Sequence, residues 1–163
     1  MDAGSLGHRV YGRWDGLETV ERLKAEFPGA ILDSADFRGE TTVVVALDTV
    51  ADIMAFLRDA PETRFDMLTD VTAVHWPARP EPFEIVWHLY SLPRNVRLRV
   101  KSSAGPEPKV PSVVPLWPGA GWLERECYDM FGVVFDGHPD LRRILMPEDF
   151  DEWPLRKDFP LKY

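Results

Sequence analysis

The sequence predicts a two-layer α+β domain with the order helix-strand-strand-helix-strand-strand-strand. A proline-rich connector, one more helix and an extended C-terminal tail follow it. Three observations carry this prediction. Two early segments repeat apolar residues at three- and four-residue steps, the period of an amphipathic helix. Five segments are rich in β-branched residues or alternate apolar with polar, as half-buried strands do. Past residue 103, prolines recur too often for a regular helix or a central strand. The boundaries that result are an N-terminal segment 1–14, a domain 15–103, a connector 104–120 and a helix-plus-tail unit 121–163. Helices gathered against a largely antiparallel sheet give the two-layer class.

In chain order, DGLETVERLKAEFPG is the first helix. Leu17, Val20, Leu23 and Phe27 form its stripe, Asp15 is placed to cap it with Glu18 three residues on, and Pro28-Gly29 stops it. AILDSADF and the β-branched TTVVVALD are strands. TVADIMAFLRDAP returns to helical spacing, with Asp48 as the expected N-cap and Pro61 as the stop. FDMLTDVTAVHW and FEIVWHLYS are strands joined by the hairpin link PARPEP. In the second of these, Phe83, Ile85, Trp87 and Leu89 share a face. After the turn LPRN, VRLRVK points Val96, Leu98 and Val100 inward and Arg97, Arg99 and Lys101 outward. Together with Arg94, these cations form either a solvated strand face or a dock for an acidic partner. Pro106, Pro108, Pro111, Pro115 and Pro118 make the connector extended. The last helix spans roughly 121–131, and the chain beyond it is rich in turns.

A length of 163 residues suits one domain, and 45% hydrophobic content is enough to bury a core. The net charge of −8 argues against a general nucleic-acid binder, which needs a basic footprint. The single cysteine, Cys127, cannot form an internal disulfide. The opening MDAGSLGHRVYGRWDG has no signal-peptide core, and no stretch approaches the ~20 apolar residues of a membrane span. The expectation is a soluble, cytosolic protein that meets a membrane only through partners.

The densest chemistry lies in ERECYDMFGVVFDGHPDLRRIL. Read as a helix, it clusters Trp122, Leu123, Cys127, Met130 and Phe131 on one side. Glu124, Arg125, Glu126 and Asp129 lie mostly away from them, and Arg125 and Asp129 are spaced to pair along the surface. Gly132 stands where a C-terminal cap belongs. Catalytic readings each lack a part. Glu124 and Glu126 diverge on a helix. Cys127 with His138 offers a nucleophile and a base, but the thiol falls on the apolar side. The histidines His8, His75, His88 and His138 show no metal-ligand spacing, and no phosphate-binding glycine motif is present. His88 reads as a packing or solvent-facing residue. GHPDL, from Gly137 to Leu141, reads as an ordered turn in which His138 and Pro139 fix the backbone and Asp140 bonds to it. In the tail, Phe150, Trp153, Leu155, Phe159 and Leu161 alternate with charges and prolines. That pattern suits an extended segment wrapped over another protein. The ~25 residues after Gly137 reach roughly 80 Å when stretched.

GWLERECYDMFGVVFDGHPDLRRILMPEDF, followed by PLRKDFPL, closely resembles the signature region of the 30 kDa subunit family of respiratory complex I, the NADH-quinone oxidoreductase of bacteria. YSL and NVRLRVK fit as well, whereas Cys127 and Glu152-Trp153 depart from the usual pattern. The resemblance implies a peripheral-arm subunit on the cytoplasmic side of the cell inner membrane. It would pack on the quinone-site subunit and on neighbouring peripheral-arm subunits. NADH, FMN, iron–sulfur clusters and quinone would belong to the complex, with no cofactor and no catalytic residue in this chain. The implied interface and signature residues fall in three groups. Glu124, Arg125, Glu126, Asp129, Phe131 and Gly132 lie on the helix and its end. Gly137, His138, Pro139, Asp140, Arg142 and Arg143 lie in the turn. Trp153, Leu155, Arg156, Lys157, Asp158 and Phe159 lie in the tail. The alternatives are the equivalent subunit of a membrane-bound hydrogenase-type complex, and a free-standing hydrolase using Glu124, Glu126 and His138.

Overall fold

The computed structural model describes residues 16–160. Helix α1 spans Gly16–Glu26, strands β1 and β2 span Ile31–Phe37 and Glu40–Val45, and helix α2 spans Val50–Asp59. Strands β3, β4 and β5 span Met67–His75, Phe83–Ser91 and Val96–Ala104. A short β6, Lys109–Pro111, precedes helix α3, Ala120–Phe131, and strand β7, Val134–Asp136. The predicted α+β order is present.

The main sheet has the order β1-β2-β5-β4-β3. The hairpin β1–β2 and the meander β3–β4–β5 are each antiparallel, and they join side by side through the parallel pair β2–β5. Strand alternation sends Val43, Val45, Ile85, Trp87, Leu89, Leu98 and Val100 into one core with Val20, Leu23, Ile53, Met54 and Leu57 of the two helices. The outward cations of β5 are met within the chain. Arg99 pairs with Glu40 at 2.8 Å, Lys101 pairs with Glu84 at 2.8 Å, and Arg97 lies over the Tyr90 ring. The solvated-face reading of this row therefore has the local pairing it needs.

Several local expectations need correction. Leu17 is 46% exposed, because α1 turns Thr19, Val20 and Leu23 to the sheet instead. Asp48 does not cap α2. A 3-10 turn over Leu47–Thr49 precedes that helix, and the Thr49 hydroxyl donates to the Ala46 carbonyl at 2.8 Å. The cap expected from Asp15 lies outside the described residues. The extended connector packs against the body. Its β6 pairs in parallel with β7, and Val110, Val113 and Trp117 are buried in the core. Pro111, which has no N–H, stands at the end of that pairing, where a ladder donor is dispensable.

Candidate functional site

Helix α3 packs along β3, with Ala120, Glu124, Cys127, Met130 and Phe131 buried. Gly132 ends it in the left-handed region at φ 75°, donating its N–H to the Tyr128 carbonyl at 2.8 Å. The expected charged face is a surface only in part, since Glu126 is exposed but two of its acids are not. Glu124 and Asp129 are both 0% exposed. Five residues at 3.6 per turn place them about 140° apart, so one helix is covered on two sides.

Glu124 faces the body. Its Oε2 accepts from the Ser112 hydroxyl and its Oε1 from the Val113 N–H, both at 2.7 Å. The carboxylate thus pins the connector to α3. Burial pushes its pKa up, and the two donors only partly oppose this. A raised acid contributes less stability as pH climbs from its ordinary value, about 4.3, toward its folded value. Glu124→Gln keeps an acceptor for Val113 and offers Ser112 a donor. It is expected to hold stability near wild type and to flatten that decline, as urea midpoints from acid to neutral pH will check.

Asp129 faces the opposite way, under the segment Arg143–Met146. Its Oδ2 accepts three consecutive main-chain N–H groups, from Ile144, Leu145 and Met146, at 3.0, 2.6 and 2.8 Å. Its Oδ1 pairs with Arg143 at 2.6 Å. Burial alone would raise this carboxyl, but the four donors outweigh it and hold the pKa below the ordinary value. The predicted Arg125–Asp129 surface pair is therefore absent. Arg125 donates to the Arg142 and Arg143 carbonyls at 3.0 and 2.8 Å and lies over the exposed Trp122. Arg125 and Asp129 grip the same loop, one through carbonyls and the other through amides.

The turn is ordered by His138. Its Nδ1 accepts the Asp140 N–H at 3.0 Å, which leaves Nε2 to donate to the Gly121 carbonyl at 3.1 Å. The Asp140 carboxylate pairs with Arg142 at 2.9 Å rather than with the local backbone. Gly137 supplies a left-handed turn at φ 84°, and Pro139 and Glu126 are exposed. The thiol of Cys127 is buried and donates to the Val71 carbonyl at 3.3 Å, with burial raising its pKa. It is a packing atom rather than a nucleophile.

The tail contains no helix or strand among its described residues, but it does not stand away from the body. The Leu155 N–H donates to the Met130 carbonyl at 3.0 Å, and Arg156 Nε donates to the Phe131 carbonyl at 2.6 Å. The Lys157 N–H donates to His75 Nδ1 at 3.0 Å, with Asp158 3.8 Å from the same nitrogen. Rings and guanidiniums alternate through Phe150, Arg143, Trp153, Arg156 and Phe83 at 4.6–5.6 Å. Phe159 lies beside Phe150, and Tyr128 meets Trp153 edge-on. Leu161 lies outside the described residues. Sequence reasoning missed Ser112, Val113 and His75, which are polar partners supplied from elsewhere in the chain. Among the described residues, no group of three or more His, Cys, Asp or Glu side chains is placed to hold a metal ion, and no helix is long and apolar enough to cross a membrane.

Residues 43–163, a span that contains Glu124, Asp129, His138 and the whole tail, match the family model described as the respiratory-chain NADH dehydrogenase 30 kDa subunit. The chain belongs to this family. A relative from Roseiflexus sp. (strain RS-1), named as a subunit of NADH-quinone oxidoreductase, is 48% identical over 148 residues, covering 90% of this chain and 85% of the relative. The relative of the same name from Rhodobacter capsulatus is 49% identical over 133 residues, covering 82% and 67%. Among solved structures, a chain of the membrane-bound sulfane sulfur reductase, an archaeal respiratory membrane complex, superposes with a TM-score of 0.75 at 25% identity, covering 90% of this chain and 86% of that one. The fold of the 30 kDa family thus extends beyond proteins named for NADH and quinone.

Proposed function

We propose that this chain is a non-catalytic peripheral-arm subunit of a proton-translocating NADH:quinone oxidoreductase, seated on the cytoplasmic side of the membrane against the quinone-site subunit. NADH, FMN, iron–sulfur clusters and quinone would be held by other chains of the complex. One observation carries the non-catalytic part. Four of the signature's ionisable groups are engaged within the chain: Asp129 by four donors, Glu124 by two, Arg125 by two carbonyls and His138 by two backbone groups. A general base needs an accessible acceptor within reach of substrate, whereas Glu124 and Asp129 are fully buried against donors of this chain and the free nitrogen of His138 accepts the Asp140 N–H. The same fact disfavours the hydrolase reading, since Glu124 is buried among donors while Glu126 is exposed. The 48% identity to a protein named for NADH-quinone oxidoreductase supports the choice of complex. The second reading, a hydrogenase-type complex, gains no specific support from the archaeal chain, which belongs to a sulfane sulfur reductase.

The signature's outward side chains are the partner-facing candidates. Trp122 and Leu145, 65% and 61% exposed, are the largest apolar groups there. A buried aromatic anchor is worth more to an interface than its polar rim. Trp122→Ala with Leu145→Ala is expected to weaken retention of the quinone-site subunit in a pull-down at least ~10-fold. The chain's own melting temperature should stay unchanged. Wild-type retention by this double variant would exclude that face as the contact.

A further inference from the structure

We infer that the C-terminal tail is an intrachain staple that closes the seam between α3 and the main sheet before any other subunit arrives. The tail touches both sides of that seam within three residues. On the helix side, the Leu155 N–H and the Arg156 guanidinium take the Met130 and Phe131 carbonyls, two of the last carbonyls of α3 that its own helix leaves open. On the sheet side, the Lys157 N–H takes Nδ1 of His75 at the end of β3. Arg156 also lies 4.8 Å from the centre of the Phe83 ring on β4, and Phe83 stacks on His75 at 4.6 Å. Arg156 therefore bridges the two layers with one side chain. His75 is 6% exposed, so the acceptor it offers is reserved for the tail.

Gly132 is cut to receive the staple. A Cβ at that position would fall 2.5 Å from Arg156 Nη2 and 2.7 Å from the Trp153 ring. These two side chains occupy the space of the missing methyl. The bonds of Leu155, Arg156 and Lys157 are made to groups of this chain. A disordered arm that folds only on binding would leave the Met130, Phe131 and His75 acceptors to water.

Hydrogen–deuterium exchange on the purified full-length chain, without other subunits, tests the staple. The Leu155 and Lys157 amides should exchange at least ~10-fold more slowly than unstructured amides. His75→Phe keeps the stack on Phe83 but removes the acceptor. It should release the Lys157 amide while leaving α3 protected. Arg156→Ala should release both tail amides and speed exchange in the last turn of α3. Tail amides that exchange at the unstructured rate in the free chain, and slow only when the other subunits are present, would overturn the staple. So would a His75→Phe variant whose Lys157 amide stays as protected as wild type.

Discussion

Asp129→Ala is expected to destabilise the chain by roughly 3–5 kcal/mol, the cost of leaving a buried partner charge and several amides unpaired. The carboxylate has no solvent exposure, and Arg143 is only 9% exposed. Removing it orphans the amides of Ile144, Leu145 and Met146 and takes the counter-charge from the Arg143 guanidinium, which keeps only the Asp129 and Glu152 carbonyls. The carboxylate that these amides bond is fully buried, so water can replace it only if the loop lifts off α3. Lifting also breaks the two carbonyl bonds to Arg125 and the Arg143 contacts with Phe150 and Trp153. Asp129→Asn retains an Oδ acceptor for the three amides but places an uncharged group opposite Arg143. It should lose less than Ala and more than any surface change. The pH dependence has a fixed sign. A carboxyl held below its ordinary value of about 3.9 gives its full stabilisation above that pH and loses it as pH falls through the lower folded value. Wild type should therefore lose stability on acidification below about pH 4 more steeply than Asp129→Asn does. Chemical denaturation across that range measures both effects, and equal slopes would remove Asp129 from the account.

Gly132→Ala is expected to cost about 2–4 kcal/mol, well beyond the roughly 1 kcal/mol of an ordinary residue in the left-handed region. The excess comes from Arg156 and Trp153, which already fill the Cβ position. The Arg156 tip can swing away, but only by leaving the Phe131 carbonyl. The Trp153 ring is held by Tyr128 and by Arg143. In a Trp153→Ala, Arg156→Ala background the same glycine change should cost only the conformational part. The double-mutant cycle read by urea denaturation would then show coupling of about 1–2 kcal/mol. Additivity would mean that Gly132 serves only to end the helix.

The order of elements was legible in the sequence because it depends on local period. Leu23 and Val20 recur at helical steps, and Phe83 through Leu89 alternate, whatever their neighbours are. Gly132 as a cap and the GHPDL turn were legible for the same reason, since glycine and proline set φ directly. The resemblance of the signature segment then placed the chain in its family without any contact being known.

What only the tertiary structure decided is where the charges of α3 go. A helical wheel assumes one buried face. Here the connector covers Glu124 and the returning loop covers Asp129, so two acids about 140° apart are both interior. The partners lie far along the chain from any helical neighbour. Ser112 and Val113 precede Glu124 by about a dozen residues, and Met146 follows Asp129 by seventeen. The seat of the tail was hidden for a related reason. Its spaced aromatics suggest a surface on another protein, and they do not reveal that Phe83, His75 and the open carbonyls at the end of α3 meet part of the tail within the same chain. A carboxylate on a helix is solvated unless other segments bring enough donors to replace water. Which segments come close enough is set by the packing of the whole chain, not by the period of any one part.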